Sequence, residues 1–142
     1  MRISDVLRSK GSTVATVEPG LSVAGLVAQL ARHNVGAMVV TKDDKVVGIV
    51  SERDVVRQLH ERGTALLDSR VMDIMTTSVV TCLPTDSVDS LAATMTERRI
   101  RHMPVVQDGT LIGIVSIGDV VKSRIGELES DREQLESYIA GG

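Results

Sequence analysis

One phrase is written twice in this chain, and that repetition constrains the fold more than any other feature. Val46-Val47-Gly48-Ile49-Val50-Ser51-Glu52-Arg53-Asp54-Val55-Val56 returns 65 residues later as Leu111-Ile112-Gly113-Ile114-Val115-Ser116-Ile117-Gly118-Asp119-Val120-Val121. Each copy reads as a short apolar strand, then Ser-x-x-Asp, then the apolar start of a helix. A fixed internal period means supersecondary units that bury their faces against each other. The register holds beyond the phrase: Pro19 and Pro84, Ser22 and Ser87, Val23 and Val88, Leu26 and Leu91, Met38 and Met103 keep the same spacing. Upstream the offset widens to 68, where Arg2-Ile3-Ser4-Asp5-Val6-Leu7 aligns with Arg70-Val71-Met72-Asp73-Ile74-Met75. The first copy therefore carries about three extra residues near Ser9-Lys10-Gly11.

Each copy holds roughly 60 of the 142 residues, and a unit that small buries too little surface to be stable alone. One body in which the copies cover each other is expected. The pattern within a copy is β-α-β-β-α, an α/β (α+β) class. In the first copy, residues 2–8 read as a short helix or lead-in, and Val14-Ala15-Thr16-Val17 as a strand before the turn at Glu18-Pro19-Gly20. Ser22 caps a helix to about Asn34, with Val23, Leu26, Val27 and Leu30 on one face. Strands Ala37–Thr41 and Val46–Val50 flank a polar turn, and Ser51 opens a helix to about Arg62. The second copy repeats this with a strand near Val79–Cys82, a helix Ser87–Arg99, strands Met103–Val106 and Leu111–Val115, and a helix from Ser116.

The expected boundaries are 1–65 for the first copy, 66–125 for the second and 126–142 for a C-terminal helical extension, with Gly63–Ser69 as a small, polar linker. Ile125, Leu128, Leu135 and Ile139 trace an apolar stripe among acidic residues, extending the last helix to about residue 138. Two roles are open for that stripe: folding back on its own core, or docking onto a second subunit or partner.

Composition removes several function classes. A net charge of −3 gives no global basic field for nucleic acid or anionic membrane. Phe and Trp are absent and Tyr138 stands alone, so aromatic stacking platforms are unavailable. The single Cys82 permits no internal disulfide and suits a reducing cytoplasm. No apolar run approaches a membrane span, and Met1-Arg2-Ile3-Ser4-Asp5 lacks the apolar stretch of a signal peptide. Three histidines and one cysteine show no zinc-ligand spacing. There is no Gly-x-Ser-x-Gly elbow and no glycine-rich phosphate loop. A cytoplasmic protein without catalytic or metal residues is the expectation.

The tandem β-α-β-β-α copies, Gly-Ile-Val-Ser-x-x-Asp in each, and Arg101-His102-Met103-Pro104-Val105-Val106 resemble a pair of CBS domains (cystathionine-β-synthase-type repeats, or Bateman module). The resemblance covers essentially the whole chain. It implies two pseudo-symmetric repeats packed as one module, adenosine ligands (AMP, ADP, ATP, NAD or S-adenosylmethionine) in one or two clefts between them, and flat homodimers. It also implies a regulatory role in signal transduction. With nothing attached, that is a stand-alone sensor needing no cofactor, acting on an unidentified protein partner. The alternative is a structural or interaction module with vestigial ligand sites. Such pairs also occur inside inosine-monophosphate dehydrogenases, but 142 residues cannot also hold the catalytic barrel.

Two readings of Ser51-x-x-Asp54 and Ser116-x-x-Asp119 are open and compatible. One is a helix capping box. The other, which the resemblance favours, is a carboxylate accepting both hydroxyls of a ribose. The resemblance also implies that each site takes its first strand from one copy and its Ser-x-x-Asp from the other. The Asp54 site would then use Ile49, Thr77, Ser78, Val79 and the start of the strand at Arg101, His102 and Met103. The Asp119 site would use Ser12, Thr13, Val14, Ile114 and the corresponding Gly36, Ala37 and Met38. Arg53, Arg101 and His102 are the phosphate candidates, because guanidinium forks match phosphate oxygens. The copies are unequal there, since Arg53 corresponds to Gly118 and the Arg98–His102 run to His33–Ala37.

Overall fold

A computed structural model describes residues 1–11 and 13–141. In chain order it contains α1 (Ile3–Lys10), β1 (Thr16–Val17), α2 (Val23–His33), β2 (Ala37–Lys42), β3 (Lys45–Ser51) and α3 (Glu52–Arg62), then α4 (Val88–Arg98), β4 (His102–Gln107), β5 (Thr110–Ser116) and α5 (Ile117–Gly141). β1 runs parallel to β2, and β2 pairs antiparallel with β3. β4 and β5 form the matching antiparallel hairpin. Both hairpins close through two-residue turns with positive φ, at Asp43-Asp44 and Asp108-Gly109. That is the type I′ geometry whose twist matches the strands, and Asp and Gly tolerate it best. Ser22 and Ser87 cap α2 and α4 by accepting the Gly25 and Ser90 N–H at 3.0 and 3.1 Å.

The copies are joined by a reciprocal exchange. The Ile3 and Ser4 N–H groups donate to the carbonyls of Asp86 and Pro84, both at 2.9 Å, and the Val88 N–H returns a bond to Met1 O at 3.0 Å. The second copy mirrors this: Val71 and Met72 donate to Leu21 and Pro19 at 2.8 and 3.1 Å, and Val23 donates to Ser69 O at 2.8 Å. Side chains follow the backbone. Ile3, Val6 and Leu7 join the core of the second copy with Leu91, Met95, Met103 and Val115. Leu66, Val71 and Ile74 join that of the first with Leu26, Met38, Val40 and Val50.

Two sequence expectations change, and one of the two roles left open for the last helix drops out. The second-copy strand near Val79–Cys82 is reduced to one parallel bridge, Cys82 to Val105, where the first copy pairs both Thr16 with Val39 and Val17 with Val40. Pro104 stands at the position of Val39 and has no N–H for the second rung. The Gly63–Ser69 linker is a 3-10 turn over Gly63–Asp68 whose Leu66 is fully buried. The last helix does not fold back: every residue from Leu128 to Gly141 is exposed. Its earlier turns are held by Arg124 on Asp89 at 2.7 Å and by Glu127 near the N-terminal amine at 3.7 Å.

The glycine of each repeated phrase marks where the copies meet. A Cβ on Gly48 would lie 2.6 Å from Met75 Sδ and 3.1 Å from Thr76 O, and one on Gly113 would lie 2.6 Å from Leu7 Cδ2. Gly48→Ala and Gly113→Ala are each expected to destabilise the chain by about 1–3 kcal/mol through overpacking. Urea denaturation checks this, and unchanged midpoints would mean the contact is looser than described.

Candidate functional site

The first Ser-x-x-Asp segment sits where β3 ends and α3 begins. Ser51 is the N-cap, accepting the Asp54 N–H on its Oγ at 3.2 Å. Asp54 Oδ2 in turn accepts the Ser51 N–H at 2.8 Å and the Ser51 hydroxyl at 3.0 Å. The capping box is therefore present, and it uses one carboxylate oxygen. Oδ1 has no hydrogen-bond partner among the described residues.

This half-buried carboxylate lines a cavity of ≈ 570 Å³ between the copies, within the size range of small-molecule sites. One wall is the end of β3 and the first turn of α3, from Ile49 to Arg57. The facing walls are the Thr76–Val80 segment and the Arg99–His102 approach to β4. Ile49, Val79, Val80 and Ile100 make the lining aliphatic, which leaves a slot for a flat ring without aromatic stacking. Around it stand four guanidiniums, Arg53, Arg57, Arg99 and Arg101, against two carboxylates, Glu52 and Asp54. Arg99 ends α4 in the left-handed region at φ 55°, where the first copy has Asn34 at φ 52°. A long side chain there costs about 1 kcal/mol or more relative to glycine, and its residue lines the cleft. His102 is pushed below its ordinary pKa by burial first and then by Lys10.

The second Ser-x-x-Asp segment is built alike but differently occupied. Asp119 Oδ2 accepts the Ser116 N–H at 2.8 Å, and Ser116 Oγ accepts the Asp119 N–H at 3.2 Å. Lys10 Nζ also lies on Asp119 Oδ2, at 2.6 Å, and donates to Ile114 O at 2.9 Å. Burial disfavours the Asp119 carboxylate, but the Lys10 and Ser116 bonds outweigh it and hold its pKa below the usual range.

The expected residues are distributed as follows. Ile49, Ser51, Arg53, Asp54, Ser78, Val79, Arg101 and His102 come together at the Asp54 cleft. Thr77 is exposed and outside the lining, where Thr76 takes part instead. Met103 and Met38 are buried in the two cores, because strand residues alternate faces. Gly36 and Ala37, expected near Asp119, line the Asp54 cleft. The two strand starts meet between the copies, where a Cβ on Gly36 would make ordinary contact with Glu52 Oε1 at 3.4 Å and His102 Cε1 at 3.9 Å. Thr13 is exposed and Val14 half-buried, and Ser12 lies outside the described residues. Arg57 escaped the sequence reading, and Arg99 entered it only as part of the Arg98–His102 run and not as a named site residue. Arg57 was findable one helical turn beyond Asp54, whereas nothing local marks Arg99 as a left-handed residue.

The CBS domain family model matches residues 3–61 and 71–126. The chain belongs to the CBS domain family. The mitochondrial CBS domain-containing protein CBSX3 of Arabidopsis thaliana is 38% identical over 99% of this chain and 72% of its own length. The crystal structure of the CBS-domain protein ATU1752 from Agrobacterium tumefaciens has a TM-score of 0.85 and 43% identity, covering 87% of this chain and 99% of that one. The CBS domain pair of protein MJ0100, solved in complex with 5′-methylthioadenosine and S-adenosyl-L-methionine, has a TM-score of 0.76 and 25% identity over 86% of this chain and 98% of that one. Each of the two matched stretches contains one copy of the duplicated phrase. Within the second, Cys82 is a buried thiol pushed up to about 12 by desolvation and by Asp86, so it stays protonated and unreactive. Among the described residues no helix of this CBS pair is long and apolar enough to cross a membrane.

His102 supplies a pH test of the site. Its pKa is depressed from 6.5, so the fold prefers the neutral ring. Its contribution is complete above the unfolded value and is lost as pH falls through the folded one. The His102→Asn variant is therefore expected to lose less stability than the wild type between pH 7.5 and about pH 5.5. Parallel denaturant melts at the two pH values measure the difference, and equal losses would contradict a neutral, desolvated His102.

Proposed function

We propose that this CBS pair is a regulatory module that binds an adenosine nucleotide of the AMP, ADP, ATP or NAD type in the Asp54 cleft, without turning it over. The observation that carries the reading is the Asp54 carboxylate, anchored through one oxygen by Ser51 and lining a cleft with four arginines. An ionised carboxylate accepts two donors at once, which suits the vicinal hydroxyls of ribose. The aliphatic slot accepts adenine, and the guanidiniums accept phosphate. The ligands of the MJ0100 relative support the adenosine part. Arginine surplus favours a phosphate-bearing nucleotide over a cationic sulfonium. Because the cleft has walls from both copies, a ligand that binds one packing arrangement better shifts the population toward it.

The readout surface is proposed to be a second copy of the chain. Val56 on α3 and Val121 and Ile125 on α5 are 65%, 51% and 51% exposed. The stripe continues through Leu128, Leu135 and Ile139 at 60–69%. An alternative, an interaction module with vestigial sites, is favoured by this stripe alone. Light scattering is expected to give about twice the 15.2 kDa chain mass. Removal of 129–142 is expected to weaken that association, and a monomer at high micromolar concentration would contradict it.

Calorimetry on Asp54→Ala tests the ribose contact. Two hydrogen bonds to a charged acceptor, at about 1.5–3 kcal/mol each, are lost in the variant. Affinity for AMP is expected to fall on the order of a hundredfold, equivalent to roughly 3 kcal/mol. The 2′,3′-dideoxy analogue is expected to bind wild type about as weakly and to lose little more on mutation. Guanine nucleotides are expected to bind less well than adenine ones. An affinity change below about threefold would reduce Asp54 to a capping residue.

A further inference from the structure

The two copies differ at one carbonyl. In the first, Ile49 and Thr76 form an isolated antiparallel bridge, with N–H to O distances of 3.0 and 2.9 Å. By the 68-residue offset of the lead-in the counterpart of Thr76 is Arg8, and by the 65-residue offset of the phrase the counterpart of Ile49 is Ile114. Arg8 lies within α1, which continues to Lys10, so its backbone is committed to the helix. The corresponding segment of the second copy turns only through Val71–Asp73. The Ile114 carbonyl is satisfied instead by Lys10 Nζ at 2.9 Å, and the same ammonium reaches Asp119 Oδ2 at 2.6 Å. Lys10 therefore holds both groups that correspond to the Ile49 and Asp54 walls of the open cleft. Lys10 falls among the about three residues that the first copy carries in excess, so the second copy brings no such ammonium to the Asp54 cleft.

We propose that Lys10 is a built-in occupant of the Asp119 cleft, so that the chain takes one adenosine nucleotide, in the Asp54 cleft, and Lys10 decides that number. The proposal rests on the ribose reading of Asp54. A ribose entering at Asp119 would replace a charge-assisted bond from an ammonium with bonds from neutral hydroxyls, and the ammonium would have to find another partner. The Lys10 and Asp119 side chains are only 34% and 20% exposed, so water screens the pair incompletely. The geometry is also self-consistent along the chain. Leu7, one helical turn before Lys10, packs on Gly113, which aims the end of α1 at Ile114.

Calorimetric titration with AMP and with ATP reads the stoichiometry. Wild type is expected to bind one nucleotide per chain and Lys10→Met two. The Lys10→Met/Asp119→Asn double variant is expected to return to one. If Lys10→Met does not fold by circular dichroism, Lys10→Gln carries the same expectation, since its amide still donates to Ile114 O but brings no charge. Two sites in wild type, or one site in a folded Lys10 variant, would overturn the proposal while leaving the Asp54 reading intact. No binding to wild type or any variant would overturn both. A ligand-free arm follows acetylation of Lys10 by mass spectrometry. Asp119→Asn is expected to raise its rate several-fold, and an unchanged rate would remove the ion pair and the proposal with it.

Discussion

Three backbone hydrogen bonds in each direction tie the lead-in of one copy to the helix start of the other, and the remainder of the molecule depends on that exchange. A unit of roughly 60 residues has too little interior to offset the entropy of ordering its chain. Here each core is completed by a segment from outside its own β-α-β-β-α set: Ile3, Val6 and Leu7 for the second, Leu66, Val71 and Ile74 for the first. Neither half has its complete core without the other. The glycines of the duplicated phrase belong to the same constraint, because Met75 and Leu7 lie where a side chain on Gly48 or Gly113 would stand.

The cleft follows from this arrangement. Its walls are the end of β3 and start of α3 from one copy, the segment between the copies, and the approach to β4 from the other. Residues at such a junction are under less packing constraint than those in either core. It is also where the symmetry of the sequence is broken: Arg53 against Gly118, Arg99 against Asn34, and Lys10 in the segment that only the first copy carries. The departures concentrate charge on one side. Four arginines line the Asp54 cleft, and a single ammonium is spent on Asp119. His102 connects the two, lining the first cleft while sensing Lys10 and Asp119 from the second.

Much of this was legible from residue order. The helix starts at Ser22, Ser51 and Ser87 follow from the side-chain oxygen each offers to an N–H three residues on. The hairpins follow from apolar runs around Asp-rich turns. The residues that line the Asp54 cleft were outlined from the repeat together with what the resemblance implied, sites drawing on both copies. The misses have local causes. Pro104 lacks the N–H that would have completed the second-copy strand, although Val79–Cys82 is as β-prone as Val14–Val17. Leu66 looked like linker because two adjacent leucines in a short segment have no periodicity to declare which one is buried. Arg57 could have been placed by its spacing from Asp54 on α3, whereas the left-handed backbone at Arg99 is a three-dimensional fact.

The sequence by itself determined the duplication, the element order within each copy and the identity of the paired Ser-x-x-Asp segments. These depend on interactions across a few residues: alternation, helical spacing, caps and turns. Only the tertiary structure decided which lead-in completes which core and which residues share a cleft. It also decided what each carboxylate holds. Asp54 and Asp119 sit in matching phrases with matching caps, and the local differences, Glu52-Arg53 against Ile117-Gly118, do not reveal that one carboxylate meets a lysine. The difference comes from a lysine 109 residues away in the chain, carried there because α1 runs far enough to present it. An ammonium at 2.6 Å outweighs any local signal, since charge acts through space and the sequence records only order along the chain.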